Sequence, residues 1–262
     1  MTTEPHATAA GVRVIAHEVL GSTNAEALKL AREGERGPFW VTAERQTAGR
    51  GRRGRTWISN AGNLYATLLL PDPAPVRHWP QLSFVAALAA HDAIADLAAQ
   101  LKPKLAIKWP NDLLLGGRKF AGILIEGDTS KVPAVAVGIG INCASHPANT
   151  DHPATDLATV GVATSPTAVF RAIAARMPGR LGQWNRGQGF AAIRSDWLAR
   201  AAGIGQKVCV RLADHDVWGR FEGIDEAGGL LLRLPDGTVK TVAAGDVVAA
   251  TSVVSQPDEL TG

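Results

Sequence analysis

The chain has 262 residues, 46% of them hydrophobic, and a formal net charge of +3. This length accommodates one sizeable domain and a smaller one, and the apolar fraction is enough for a packed core, which excludes a largely disordered chain. Arg50, Arg52, Arg53 and Arg55 lie within six positions, and removing their four charges would leave a net charge of −1. The basicity is therefore local, unlike the broad basic face of a protein that coats nucleic acid.

The cysteines, the N-terminal residues and the apolar runs indicate in which compartment the protein is expected. Cys143 and Cys209 are far apart and lack CxxC spacing, so neither a disulfide framework nor a zinc site is expected, and a reducing, cytoplasmic compartment is favoured. Residues 1–11 are small, polar and aperiodic, without the apolar stretch of a signal peptide, and are predicted to form a flexible tail. No apolar run is long enough to predict a membrane span.

Apolar periodicity divides residues 12–200 into strands and helices. The predicted strands are 12–18, 39–43, 63–70, 105–109, 112–115, 120–126 and 132–141, and the predicted helices are 24–33, 81–101, 166–181 and 190–200. Thr23 and Glu26, three residues apart, are predicted to form a capping box at the start of the first helix.

The composition changes near residues 201–206. Four short strands are predicted beyond this point, at 207–212, 217–224, 229–234 and 238–243, and turn residues such as Asp236-Gly237 separate them. Short, closely spaced strands are typical of a small β-barrel or sandwich. The expected domains are therefore 12–202 and 203–255, with 256–262 as a C-terminal tail.

Glycine and arginine alternate in residues 49–55, here called the arginine loop. Its glycines, Gly49, Gly51 and Gly54, allow close backbone approach to a ligand, and its arginines can bind phosphate bidentately. Trp57 follows and offers a face on which a base can stack. A nucleotide phosphate site is predicted, mobile until an anion neutralises it. For the loop alone, a solvated basic turn and binding of RNA or DNA remain alternatives.

Residues 108–112, Lys-Trp-Pro-Asn-Asp, separate two apolar strands. Because Pro110 has no N–H, a regular central ladder cannot continue through it. Asn111 and Asp112 could position Mg²⁺ and polyphosphate oxygens at this break, since Mg²⁺ prefers oxygen ligands. Lys119 precedes the next strand, which would direct its ammonium into a partly enclosed site, although a surface lysine is the alternative.

Gly138 and Gly140 lie on the same face of one apolar strand, and Asn142 ends that strand. Paired glycines on one strand face mark close approach by a ligand or by another backbone. They could leave a flat slot for an apolar ring, and a tight packing contact is the alternative. The GxGxN pattern lacks the third glycine and the following helix of a dinucleotide-binding fingerprint.

Taken together, these segments resemble the bacterial biotin protein ligases. The matching segments, in the order that the family has, are 22–24, 46–55 with Trp57, 108–112, 118–122 and 138–142. The resemblance implies an α+β fold: a catalytic domain with a mixed β-sheet, similar to class II aminoacyl-tRNA synthetases, followed by a small SH3-like β-barrel. Many relatives carry an N-terminal winged-helix domain. Only 11 residues precede Val12, so a ligase without this domain, and without DNA as a partner, is expected.

The resemblance also implies an activity. The carboxylate of biotin would attack the α-phosphorus of ATP, giving biotinyl-5'-AMP and pyrophosphate. A lysine of a biotin carboxyl carrier protein, such as that of acetyl-CoA carboxylase and related carboxylases, would then attack the adenylate. Catalysis would be positioning plus charge stabilisation. The implied substrates are biotin and ATP with Mg²⁺, without a tightly bound cofactor or a membrane partner, in a monomer or homodimer.

The family's site residues can be carried over position by position. The implied catalytic residues are Lys119, Arg52 and Arg50. The implied biotin contacts are Ser22, Thr23, Asn24, Gln46, Gly49, Arg50, Arg52, Lys119, Gly122, Gly138 and Gly140. The implied ATP contacts are Arg52, Arg53, Arg55, Trp57, Lys108, Asn111, Asp112, Lys119 and Asn142, with Asp112 the candidate Mg²⁺ ligand.

Particular roles follow for some of these residues. Ser22, Thr23 and Gln46 would bind the ureido group of biotin, and Gly122, Gly138 and Gly140 would line the slot for its bicyclic ring. Trp57 would stack on the adenine or cover it. No residue of the C-terminal domain is implied in the site.

Two other functions remain as hypotheses. A lipoate or octanoate acyltransferase would need a long acyl tunnel and, in some cases, a nucleophile, for which Cys143 is the available cysteine. The arginine loop together with residues 108–112 favours biotin over this alternative. A non-enzymatic nucleic-acid-binding module would use the arginine cluster, but it leaves Lys119 and the paired glycines unexplained.

Overall fold

The computed structural model describes residues 8–130, 132–148, 150, 152–212 and 214–249. The predicted tail 256–262 lies outside these residues, as do 1–7 of the predicted N-terminal tail and 250–255 of the predicted C-terminal domain. The described part of the chain forms an eight-stranded sheet, a five-stranded sheet and four α-helices.

The larger sheet is built from the first 141 residues. Its strands are β1 (Thr8–Ala9), β2 (Val12–Leu20), β3 (Phe39–Gln46), β4 (Leu64–Pro71), β5 (Leu105–Lys108), β6 (Asp112–Leu115), β7 (Arg118–Asp128) and β8 (Ala134–Ile141). They lie in the order β1-β2-β3-β4-β8-β7-β6-β5. β2 and β3 are parallel and the other neighbouring pairs are antiparallel, which confirms the predicted mixed sheet.

Helices cover both faces of this sheet. They are α1 (Thr23–Arg32), α2 (Leu82–Leu97), α3 (Pro166–Trp184) and α4 (Phe190–Leu198), with short 3₁₀ helices at Arg52–Gly54, Val76–Gln81, Ala99–Lys104 and Asn185–Gly187. Successive strand residues point to opposite faces. Leu69 of β4 packs in the small cluster under α1, whereas Leu68 packs in the larger core under α2 and α3.

The same alternation decides where the paired glycines of β8 point. Ala134 and Ala136 belong to the cluster under α1. Gly138 and Gly140 continue their face by the two-residue period of a strand. Because α1 covers only part of this face, the sheet beyond its N-terminus is left open for a site.

The C-terminal domain is an antiparallel sheet. Its strands are β9 (Lys207–Arg211), β10 (Asp216–Ile224), β11 (Leu230–Arg233), β12 (Val239–Val242) and β13 (Asp246–Ala249), in the order β12-β11-β10-β9-β13. The first four agree with the predicted strands. β13 was missed because it is four residues long and follows a glycine, without a run of alternating residues to mark it.

Two sequence predictions at element ends are wrong. Part of the predicted N-terminal tail is ordered, since Thr8–Ala9 pairs with Val12 and Arg13 through a turn at Ala10 and Gly11, both with positive φ. The long helix predicted at 81–101 ends at Leu97, where Ala98 leaves helical geometry with φ −146° and a 3₁₀ helix follows. Alanine content alone overestimated its length.

The predicted capping box is also wrong. The N-cap of α1 is Ser22, and Thr23 is the first helical residue rather than the cap. The Thr23 hydroxyl donates to Gln46 Oε1 and lies beside Thr67, and it does not accept from a backbone N–H of the helix. A polar side chain that could have capped the helix is therefore directed into the sheet face, where the site lies.

Candidate active site

A pocket of about 390 Å³ opens on the sheet face beside the N-terminus of α1. Most of the predicted site residues line it: Ser22, Thr23, Asn24, Gln46, Arg50, Arg52, Arg55, Trp57, Lys108, Asn111, Asp112, Lys119, Gly122, Gly138, Gly140 and Asn142. Gly49 and Arg53 do not line it. Segments separated by up to about 120 positions in the sequence therefore converge on one cavity.

Uncharged polar groups form one end of the pocket, here called the polar end. Gln46 Oε1 accepts hydrogen bonds from the backbone N–H of Thr23 at 2.8 Å and from its hydroxyl at 3.1 Å. Thr67, which is fully buried, lies 2.8 Å from the Thr23 hydroxyl and donates to Asn24 Oδ1 at 2.6 Å. The donors and acceptors of this end are therefore held in place by contacts with one another.

Asn24 occupies part of the predicted ring slot. A Cβ at Gly138 would lie 2.3 Å from Asn24 Oδ1, so the missing side chain makes room for Asn24. Asn24 Nδ2 donates to Glu126 at 2.8 Å and to the Leu124 carbonyl at 3.2 Å. At Gly138 the structure shows the alternative of a tight packing contact. The predicted flat slot therefore does not extend over this glycine.

Trp57 lies on the other glycines of this face. A Cβ at Gly140 would lie 2.8 Å from the indole, and one at Gly122 would lie 3.1 Å from it. The Lys119 ammonium is 5.4 Å from the ring centroid, within cation–π range. The indole thus rests on the bare backbone of β7 and β8, and it covers the positions where the sequence predicted only a slot for a substrate ring.

Charged side chains form the opposite end, here called the cationic end. Lys119 Nζ forms an ion pair with Asp112 Oδ1 at 2.6 Å, and Lys108 Nζ is 3.9 Å from Asp112 Oδ2. Burial lowers the pKa of Lys108, although the Asp112 carboxylate opposes the shift. Two cations thus share one buried carboxylate, which leaves this end with excess positive charge for an anionic ligand.

Arg50 and Arg52 of the arginine loop contact different parts of the protein. Arg50 Nη2 forms an ion pair with Glu126 at 3.0 Å, at the rim between the two ends. Arg52 Nη1 lies 3.4 Å from Asn111 Oδ1 and 3.9 Å from Asp246 of β13. Burial lowers the pKa of Arg52, against the opposing charges of Asp246 and Asp112.

Two residues with predicted ligand contacts, Arg53 and Gly49, do not line the pocket. Arg53 faces the C-terminal domain, where it donates to the Arg211 carbonyl at 3.3 Å and pairs with Asp246 at 3.5 Å. Gly49 serves the packing of its own loop, because a Cβ there would lie 2.4 Å from Ser59 Oγ and 2.4 Å from the Trp57 carbonyl oxygen. Their contacts in this structure are therefore made with the protein itself, and their ligand contacts stay predictions.

The C-terminal domain contributes to the pocket lining, although the sequence assigned no site residue to it. Asp246 and Val247 line the pocket. Asp246 also pairs with Arg55, and with Arg52 and Arg53 as described above. No motif marked Asp246, since it lies in the missed strand β13 and meets the arginine loop only through the fold.

His152 was missed for a similar reason. The segment that carries it pairs with the start of β7, because the Lys119 N–H donates to the Pro153 carbonyl at 2.8 Å and the Thr155 N–H donates to the Lys119 carbonyl at 2.9 Å. Burial and the charge of Lys108 lower the pKa of His152. It therefore adds a neutral imidazole to the pocket lining beside the cationic end.

The fold and this site define a protein ligase of the biotin and lipoate class. The sequence profile of the Biotin/lipoate A/B protein ligase family matches residues 17–142, and that of the biotin protein ligase C-terminal domain matches residues 203–249. A biotin–[acetyl-CoA-carboxylase] ligase of Paracoccus denitrificans is 47% identical over 227 residues, which cover 82% of this chain and 92% of that protein. The chain belongs to the biotin protein ligase family.

Solved structures of this family share the fold. The biotin protein ligase of Aquifex aeolicus in complex with biotin and ATP is 26% identical, with a TM-score of 0.75, and the match covers 90% of this chain and 97% of that one. The enzyme of Leishmania major in complex with biotinyl-5-AMP is 27% identical, with a TM-score of 0.62, covering 88% and 98%. Among the described residues, none of the helices is both long and apolar enough to cross a membrane.

Proposed function

We propose that the protein is an ATP-dependent biotin protein ligase that makes biotinyl-5'-AMP and transfers the biotinyl group to a lysine of a carrier protein. The observation that carries this proposal is the order in which polar, apolar and cationic groups line the pocket beside α1. Uncharged donors and acceptors line one end, cations line the other, and the indole of Trp57 lies between them. This order suits a ligand with a ureido group, an apolar body and a carboxylate.

In the first half-reaction, a biotin carboxylate oxygen attacks the α-phosphorus of ATP and pyrophosphate leaves. Lys119 and Arg52 lie at the cationic end, where negative charge develops on the phosphoryl oxygens. Fixed cations in a partly buried site stabilise such charge without reorganisation at the moment of reaction. Arg50, which pairs with Glu126 in this structure, would exchange that carboxylate for the substrate's.

In the second half-reaction, a neutral lysine amine of the acceptor attacks the carbonyl of the adenylate and AMP leaves. No covalent bond to the enzyme is needed. Cys143 supports this: it is 3% exposed, it does not line the pocket, and burial raises the pKa of its thiol to about 12. A cysteine nucleophile, as in one branch of the acyltransferase alternative, is therefore disfavoured.

The ligand contacts proposed from the family are retained with three changes. Ser22, Thr23 and Gln46 bind the ureido group, and Trp57, which lies on Gly122 and Gly140, stacks on the adenine or covers it. Three residues are instead proposed to act indirectly: Gly138 through Asn24, Gly49 within its own loop, and Arg53 through the C-terminal domain. Lys108, Asn111, Asp112, Arg55 and Asn142 serve the ATP side.

Mg²⁺ would arrive with ATP. The described residues contain no group of three or more His, Cys, Asp or Glu side chains that could hold a metal ion. Asp112 and Asp246 supply single carboxylates to the pocket lining. This donor set fits Mg²⁺, which is usually held by one or two carboxylates, substrate phosphates and water. Asp112 remains the candidate protein ligand.

The acceptor is proposed to be the biotin carboxyl carrier domain of acetyl-CoA carboxylase and related carboxylases, as the name of the Paracoccus relative suggests. The two cysteines are free and buried, which fits a cytoplasmic protein. We further propose that the catalytic domain is similar to class II aminoacyl-tRNA synthetases, that the C-terminal sheet is an SH3-like barrel, and that the protein acts as a monomer or homodimer without DNA.

Pyrophosphate release tests the first half-reaction. With MgATP, the protein should release pyrophosphate upon addition of biotin and should not do so upon addition of lipoate or octanoate. Biotin should also raise the melting temperature, since a ligand that binds only the folded state stabilises it. Pyrophosphate release with lipoate but not with biotin would favour the acyl-ligase alternative.

A further inference from the structure

Ser59 lies beneath the polar end and is absent from the pocket lining. It is 6% exposed, and both of its hydrogen bonds are internal. Its hydroxyl donates to the Trp57 carbonyl at 2.9 Å and accepts from Gln46 Nε2 at 3.0 Å. Because the hydroxyl hydrogen is directed to Trp57, Ser59 can only accept from Gln46.

These contacts fix the side-chain amide of Gln46 from both ends. The backbone N–H of Thr23 can only donate, so Gln46 Oε1 must face it. Ser59 takes one of the two Nε2 hydrogens. The second Nε2 hydrogen is the group that Gln46, which lines the pocket, can offer to a ligand.

Gly49 is what allows this arrangement to pack. A Cβ at Gly49 would lie 2.4 Å from Ser59 Oγ and 3.1 Å from Gln46 Nε2. The base of the arginine loop is closed by a hydrogen bond of 2.9 Å from the Trp57 N–H to the Gly49 carbonyl. Ser59 therefore joins the polar end of the pocket to the closed base of the arginine loop.

We propose that Ser59 is a positioning residue for biotin recognition. It holds the Gln46 amide so that an N–H, and not a carbonyl oxygen, is presented to the ureido oxygen of biotin. This inference rests on the proposed function, since it assumes that the ureido group binds at the polar end. Ser59 acts through Gln46 and does not touch the substrate.

Titration calorimetry on the full chain tests this role with Ser59→Ala. The Kd for biotin should rise about fivefold to tenfold, the usual effect of losing one hydrogen bond that orients a binding group. The KM for ATP and the kcat at saturating biotin should stay within about twofold of wild type. Ser165→Ala is the matched control, because Ser165 accepts a hydrogen bond at the N-terminus of α3 and does not line the pocket. It should leave the Kd for biotin unchanged.

The ratio of the Kd values for 2-iminobiotin and biotin distinguishes a positioning role from a general loss of structure. Its imino nitrogen, when protonated, donates where biotin accepts, so wild type should bind it more weakly than biotin. In Ser59→Ala the Gln46 amide keeps its contact with Thr23 but loses the partner that directs Nε2, so its free N–H is less well aimed at the ligand and the ratio of the two Kd values should fall by about threefold or more. An unchanged ratio, or an equal rise in the KM for ATP, would overturn the inference. Failure of the wild type to bind biotin would instead overturn the proposed function.

Discussion

Lys119 has three neighbours that define its environment: the Asp112 carboxylate at 2.6 Å, the Trp57 ring at 5.4 Å and the bare backbone of Gly122. The carboxylate and the aromatic face hold the ammonium group in position. Since the polar end lies elsewhere in the cavity, Lys119 should contribute more to the chemistry at phosphorus than to holding biotin.

Lys119→Ala should therefore separate the two steps. We expect biotinyl-adenylate formation to slow by about 10²–10³-fold, the usual effect of removing one transition-state charge partner. The Kd for biotin should change by no more than about threefold. Single-turnover pyrophosphate release and calorimetry measure the two quantities. Lys102→Ala, at an exposed lysine outside the pocket, is the control. Equal losses in adenylation and biotin binding would contradict this role.

At this scale, the sequence predicted the residues that lie in compact motifs and missed those that arrive through the fold. Lys119 and Asp112 could be named because each lies beside a recognisable strand break. His152 and Asp246 could not, because their neighbours in sequence carry no chemistry of their own. Ser59 could not be named either, because its proposed positioning role depends on a hydrogen bond with Gln46, 13 positions away.

Strands β7 and β8 form a platform for Trp57 where they carry glycine. Gly122 and Gly140 are directly paired across the two strands, and both lie under the indole. The sequence predicted a bare strand face here, but it could not predict whether a ligand or a side chain would occupy it. That outcome depends on where the chain returns after the arginine loop.

Gly140→Ala should be destabilising. Its Cβ would lie 2.8 Å from the indole, so Trp57 or the strand must shift. We expect the free energy of unfolding in urea to fall by about 1–3 kcal/mol, as for other overpacked sites. Gly182→Ala, in α3 with open space around its α-carbon, should instead stabilise by about 0.5–1 kcal/mol because alanine favours helix. Equal stability of Gly140→Ala and wild type would show that Trp57 does not rest there.

The two domains meet at the arginine loop. Asp246 of β13 faces Arg52, Arg53 and Arg55, and the Gly245 carbonyl accepts from Arg52 at 3.3 Å. Three guanidinium groups around one carboxylate hold the loop against the C-terminal sheet. The sequence predicted that the loop would be mobile until an anion neutralises its charge. The Asp246 carboxylate is such an anion, supplied by the protein itself.

Asp246→Asn should loosen the loop when no ligand is bound. Each partly exposed ion pair is worth about 0–1 kcal/mol, so trypsin should cleave within the loop about threefold to tenfold faster than in wild type. Biotin with MgATP should restore protection. Asp236→Asn, at an exposed turn of the same domain, should cleave at the wild-type rate. Identical cleavage of Asp246→Asn and wild type would show that the carboxylate does not restrain the loop.

Transfer of biotin to an acceptor lysine is the most direct test of the whole molecule. Purified protein, radiolabelled biotin and MgATP are incubated with a folded biotin carboxyl carrier domain, and label on the acceptor is measured. We predict label that depends on ATP, that requires the acceptor lysine and that falls strongly with Lys119→Ala. Absence of label on a folded acceptor, with wild-type protein that is itself folded, would contradict the assignment as a biotin protein ligase.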